Sequence, residues 1–157
     1  MYDYDYMLTH DIDWFFYAGP FLIHAASNQG ILPTEIDEKS NILAQFKISY
    51  LPDINEISDV DVNVEYIVGL LQNNESPFAS VESYKRTFVM MAQKGLFSFD
   101  RNLNNPNEYI WIAKPKKGIC EKDAPLPILK LPTNTKVPFS SFKIVKGEIH
   151  FEESEKL

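Results

Sequence analysis

From Asp11 to Ser27 aromatic and branched residues run almost unbroken except at Gly19-Pro20, and the run ends at Asn28-Gln29-Gly30. That is the profile of a β-hairpin. Glycine at the first central position of a two-residue loop supplies the positive φ of a type II′ turn, and proline at the second position costs no ladder donor. Ala18 then faces Phe21. Because side chains alternate between faces, Trp14, Phe16 and Ala18 share one face with Phe21, Ile23 and Ala25. The other face carries Asp11, Asp13, Phe15 and Tyr17 with Leu22, His24, Ala26 and Asn28, so His24 lies diagonal to Asp13. Diagonal neighbours stand roughly 7 to 8 Å apart at the backbone, within reach of a carboxylate and an imidazole.

Beyond Gly30 the spacing changes. Thr34 can cap a helix over 35–47 whose first turn holds Glu35, Asp37 and Glu38 beside the positive end of its dipole. Val60, Val62 and Val64 alternate, whereas Val64, Ile67, Val68 and Leu71 follow helical spacing, which predicts a brief extended piece and then a helix over 63–73. Val81, Tyr84, Phe88 and Met91 form one stripe after Ser80, and Lys94-Gly95 supplies a stop, so a third helix is expected over 80–94. Strands over 96–101 and 109–114 flank a turn-rich link and are expected to pair. Five prolines between Pro115 and Pro138 argue for an extended surface crossing. The segment 142–151 makes a hairpin around Lys146-Gly147 with Phe142 against Phe151 and Ile144 against Ile149, and the tail 152–157 is expected to fray.

These elements predict one α+β domain over 1–157, an antiparallel sheet built from hairpins whose aromatic face packs against two or three helices. With 157 residues the chain can bury a core without metals or crosslinks. A single cysteine, Cys120, excludes an internal disulfide. The longest apolar stretch, Trp14 to Ala26, is interrupted and falls short of the ~20 residues of a membrane helix. Acidic residues precede it where a secretory signal carries positive charge, so a cytoplasmic protein is expected.

Charge changes the picture. Up to Ser83 there are 2 basic and 14 acidic residues, a balance of −12, and beyond it 13 basic and 8 acidic, +5. The opposite signs can meet across an internal interface, or the acidic part can speed capture of a basic partner. Asp53, Glu56, Asp59 and Asp61 are the candidate acidic binding surface. Nucleic acid is not the expected partner, since the sequence pI is about 4.9. Lys114-Pro115-Lys116-Lys117, with Lys85, Arg86, Lys94, Arg101, Tyr109 and Trp111, is the one basic and aromatic set that single strands would use, and it reads more simply as solvated lysines.

Candidate chemistry is confined to Asp11, Asp13 and His24, with His10 turned to the opposite face. The phrase Leu8-Thr9-His10-Asp11-Ile12-Asp13 resembles the first metal-binding motif of polysaccharide deacetylases. The resemblance covers six residues, and the paired histidines of that family's second motif have no counterpart, since His24 and His150 stand far apart. Lysines near Cys120 would favour its thiolate, but no histidine adjoins it. Six glycines assemble neither a phosphate cradle nor a dinucleotide fingerprint, so no cofactor is expected. The expected function is therefore non-enzymatic protein binding, as an acidic accessory or inhibitor subunit for a basic partner or by self-association. The alternative is a small metal-dependent hydrolase using Asp11, Asp13 and His24.

Overall fold

A computed structural model describes residues 1–73, 80–132 and 140–151. The opening hairpin forms in the expected register: β1 (Asp13–Ala18) pairs antiparallel with β2 (Phe21–Ala26), Ala18 faces Phe21 and His24 faces Phe15. Gly19 takes the positive φ, 59°, that the turn demands. The ladder starts at Asp13, two residues later than the apolar run suggests. Asp11 nonetheless closes the hairpin mouth, its Oδ1 accepting the Asn28 N–H at 2.9 Å.

A short helix, α1 (Tyr4–Thr9), precedes the hairpin and is capped by Asp3. The helix expected over 35–47 is α2 (Glu38–Ser49), with Asp37 rather than Thr34 as its cap. Thr34 is drawn elsewhere, its N–H reaching the Gly147 carbonyl at 3.1 Å. A turn of 3₁₀ helix at Ile57–Asp59 leads to β3 (Asp61–Val62), the brief extended piece. Then come α3 (Val64–Gln72), capped by Asn63, and α4 (Val81–Gln93), where Ser80 and Ser83 form a reciprocal capping box. The remaining strands are β4 (Phe97–Arg101), β5 (Glu108–Lys114), β6 (Lys130–Leu131), β7 (Ser141–Val145) and β8 (Glu148–Phe151). β7 and β8 pair with Phe142 against Phe151 and Ile144 against Ile149.

The sheet is mixed, not purely antiparallel. Its order is β6-β1-β2-β4-β5-β7-β8 with β3 on β5, and β1–β6 and β2–β4 run parallel. Between β2 and β4 lie α2, α3 and α4, and a connection of that length permits a parallel crossover where a tight turn would not.

The sheet also curls. Four strand steps separate β1 from β7, about 19 Å in a flat sheet. Yet the Phe142 ring lies 6.0 Å from Trp14 and 5.5 Å from Phe16. The aromatic face of the opening hairpin therefore looks inward across the curl, not onto the long helices. Tyr2, Met7, Leu32 and Ile36 complete this inner core. The helices cover the convex side instead: Ala44 and Ile48 of α2 meet Phe15, Tyr17 and Leu22, while α3 and α4 meet Ala26, Ile112 and Ala113.

The proline-rich crossing is not a surface feature throughout. Ile119 and Ala124 are buried in the convex core, Tyr17 donates its hydroxyl proton to the Ala124 carbonyl, and β6 extends the sheet. Its end, 133–138, and the tail 152–157 lie outside the described residues. Among the described residues no helix is long and apolar enough to cross a membrane.

Candidate functional site

Asp13 and His24 meet as the register requires: Nε2 of His24 lies 2.8 Å from Oδ1 of Asp13. The other ring nitrogen faces the Ser98 hydroxyl at 2.5 Å, because β4 runs beside β2 with Ser98 level with His24. An ionised carboxylate only accepts, so Nε2 carries the proton and Ser98 donates to Nδ1. His24 and Ser98 are both fully buried, whereas the Asp13 side chain is partly exposed. Serine, histidine and aspartate are thus linked, but the serine is sealed beneath the helices and cannot meet a substrate. The set fixes β4 to the hairpin.

The carboxyl of Asp13 opens instead into a cleft of about 600 Å³ between the hairpin mouth and α4, lined also by Asp11, Asp100, Tyr84, Arg86 and Arg101. Asp100 lies level with Ala26 on the neighbouring strand and accepts the Tyr84 hydroxyl proton. Burial raises its pKa to about 7, although Tyr84 and Arg101 pull the other way. Desolvation also raises Asp11, its Asn28 N–H bond opposing. Tyr84 is driven upward by burial and by the Asp100 charge. Arg101 donates from Nε to the Ser27 carbonyl at 2.7 Å and from Nη2 to the Asn28 carbonyl at 2.5 Å.

Sequence reasoning overlooked Asp100 and Ser98, placed Tyr84 only in the apolar stripe of its helix and counted Arg101 only in the basic set. The signal was present: Phe97 and Phe99 alternate with Ser98 and Asp100, which puts the two polar side chains on one face. What the sequence does not reveal is that this face adjoins His24 in a parallel pairing. His10 lies apart, ending α1 with its ring 3.8 Å from that of Tyr6. Among the described residues, no three side chains of His, Cys, Asp and Glu are grouped to hold a metal ion.

Asp53, Glu56, Asp59 and Asp61 are all exposed on the link between α2 and α3. The basic stretch lies against part of it: Lys116 stands 3.9 Å from Asp59, and Asp61 is level with Lys114 in the β3–β5 ladder. Lys114 itself lies 4.4 Å from the centre of the Trp111 ring. Two others of the basic set are engaged too, Lys94 with the Leu51 carbonyl at 2.6 Å and Lys85 with Glu82 at 3.0 Å. Tyr109 is fully buried, so it offers no ring for a base to stack on. Ahead of the acidic link, Ile42, Leu43, Phe46 and Tyr50 are exposed on the side of α2 that faces away from the core.

Comparison with known protein families, with curated proteins and with solved structures finds no match.

Proposed function

We propose that the protein works by binding another protein, through the outer face of α2 and the acidic link that follows it. The observation that carries this reading is the helix itself. Asn41, Ala44 and Ile48 are buried on one side, while on the other Phe46 is 60 % and Tyr50 75 % exposed, beside Ile42 and Leu43. Large apolar side chains clustered on the outer side of a helix are ordinarily covered by another surface. Clustered aromatic and aliphatic side chains are the anchors from which protein interfaces draw most of their energy.

Charge indicates the kind of occupant. Glu35, Asp37 and Glu38 stand at the start of the helix, and Asp53, Glu56, Asp59 and Asp61 follow its end, against Lys39 and Lys47 within it. Such a surface speeds encounter with a partner that presents lysine and arginine around an apolar centre. An accessory or inhibitor subunit for a basic protein fits these features. A hydrolase built on Asp11, Asp13 and His24 is the weaker reading, because the imidazole is buried and spent on Asp13 and Ser98.

A photo-crosslinking residue at position 46, expressed in the source cells, tests the proposal. The expected product is one basic protein captured in stoichiometric amount, less efficiently at high salt, and lost on Tyr50→Asp without a change in melting temperature. Self-crosslinks alone, or capture indifferent to Tyr50→Asp, would overturn it.

A further inference from the structure

We propose that the cleft between the hairpin mouth and α4 binds a small organic cation, an amine or guanidine compound. Its volume, about 600 Å³, lies within the range of small-molecule sites. Three carboxyl groups, those of Asp11, Asp13 and Asp100, line it. The fixed cation nearest to them, Arg101, spends its Nε and Nη2 donors on the carbonyls of Ser27 and Asn28. Arg86 stands at the exposed rim. The donors that do reach the acidic floor are the Asn28 N–H on Asp11, the His24 ring on Asp13 and the Tyr84 hydroxyl and Arg101 N–H on Asp100, and among the described residues no lysine or arginine side chain is hydrogen-bonded to these three carboxyls.

The walls suit the remainder of such a ligand. Leu70, Phe88 and Leu103 line the cleft with the Tyr84 ring, which suits an alkyl or aryl body. Aromatic faces also attract a cation. A divalent metal is the less suited occupant, since no three ligating side chains converge among the described residues.

The protonation of the floor supports the assignment. Burial holds Asp100 at about 7 and raises Asp11, which is the behaviour of carboxyls taken out of water without sufficient counter-charge. The groups facing Asp100 are Tyr84 from α4, Asp11 from the segment before β1 and Arg101 from its own strand. Asp13, paired with His24, and Arg86 lie further round the cleft. An arriving ammonium group favours the ionised form, so the Asp100 proton leaves to solvent as the cation docks.

Calorimetric titration of the intact protein with benzylamine and agmatine, against benzyl alcohol and benzoate at equal ionic strength, tests the site. The amines should bind where the neutral and anionic probes do not. Their affinity should rise about tenfold from pH 6 to pH 8, as Asp100 ionises and the amines stay charged. Asp11→Asn should weaken binding several-fold, and Asp100→Asn should abolish the pH dependence. Benzyl alcohol or benzoate binding as tightly as benzylamine, no response to either amine at millimolar concentration, or a stronger response to zinc or manganese would overturn the assignment. The comparison of probes on the unaltered protein decides the matter even if a variant fails to fold.

Discussion

His24 Nε2 lies 2.8 Å from Asp13 Oδ1, and this contact joins a fully buried imidazole to a carboxylate that reaches the surface. Ser98 occupies the other nitrogen, so the ring bridges two strands at a level where the convex core would otherwise be apolar. Asp13→Ala leaves the buried ring N–H without its acceptor and should cost roughly 1 to 3 kcal/mol, read from urea unfolding. Ser98→Ala should cost less, and the double variant should depart from additivity because both act through one imidazole.

Asn41 substitutes for a strand. The outer edge of β1 pairs with β6 only at Tyr17 and Ala18. Lower down, Asn41 Oδ1 accepts the Phe15 N–H at 3.2 Å, and its Nδ2 donates to the Asp13 carbonyl and the Tyr2 hydroxyl, each at 2.9 Å. Asn41→Ala should lose roughly 2 to 4 kcal/mol, and hydrogen exchange at the Phe15 amide should quicken.

The raised pKa of Asp100 makes stability depend on pH. Its folded value, about 7, lies above the ordinary 3.8, so the folded state holds the proton more tightly than the unfolded state. The benefit is complete below the ordinary value and fades as pH rises toward 7. Asp11, also raised, acts in the same sense. Stability should therefore fall between about pH 4 and pH 7 by roughly 2 to 4 kcal/mol from Asp100. Asp100→Asn, which still accepts from Tyr84, should flatten that slope in denaturation curves measured across the range.

Gly95 turns the chain from α4 into β4 at a φ of 101°. A Cβ there would meet the Ile119 nitrogen and the Ile54 Cδ1, each at 2.8 Å. Gly95→Ala combines backbone strain with a clash against the crossing and should cost more than about 1 kcal/mol, visible as a lower melting temperature.

Local patterns proved readable wherever a partner is close in sequence. The turn at Gly19-Pro20 sets the hairpin register, and Asn63 and Ser80 mark the helix starts to within a residue. The Asp13–His24 contact follows from that register alone. Long-range features were not readable, because no turn announces them. The parallel pairing of β2 with β4 joins Ile23 to Phe97 through a chain of helices, and it brings Ser98 and Asp100 to the hairpin. The curl is hidden for a similar reason, since an inward-looking Trp14 and a helix-facing Trp14 leave the same alternation. Thr34 reads as the cap of α2 from its neighbours alone, because its hydrogen bond to Gly147 cannot be foreseen from them.

Phe142 touches Trp14, Phe16, Phe99 and Tyr109 at once, so a side chain made long after Trp14 and Phe16 plugs the hollow that they begin. On the ribosome, the opening hairpin emerges with its tryptophan facing nothing and must wait for most of the remaining chain before water can be expelled. Such distant closure is slow. Nascent chains halted before residue 140 should accordingly hold chaperones, and the full-length product should release them.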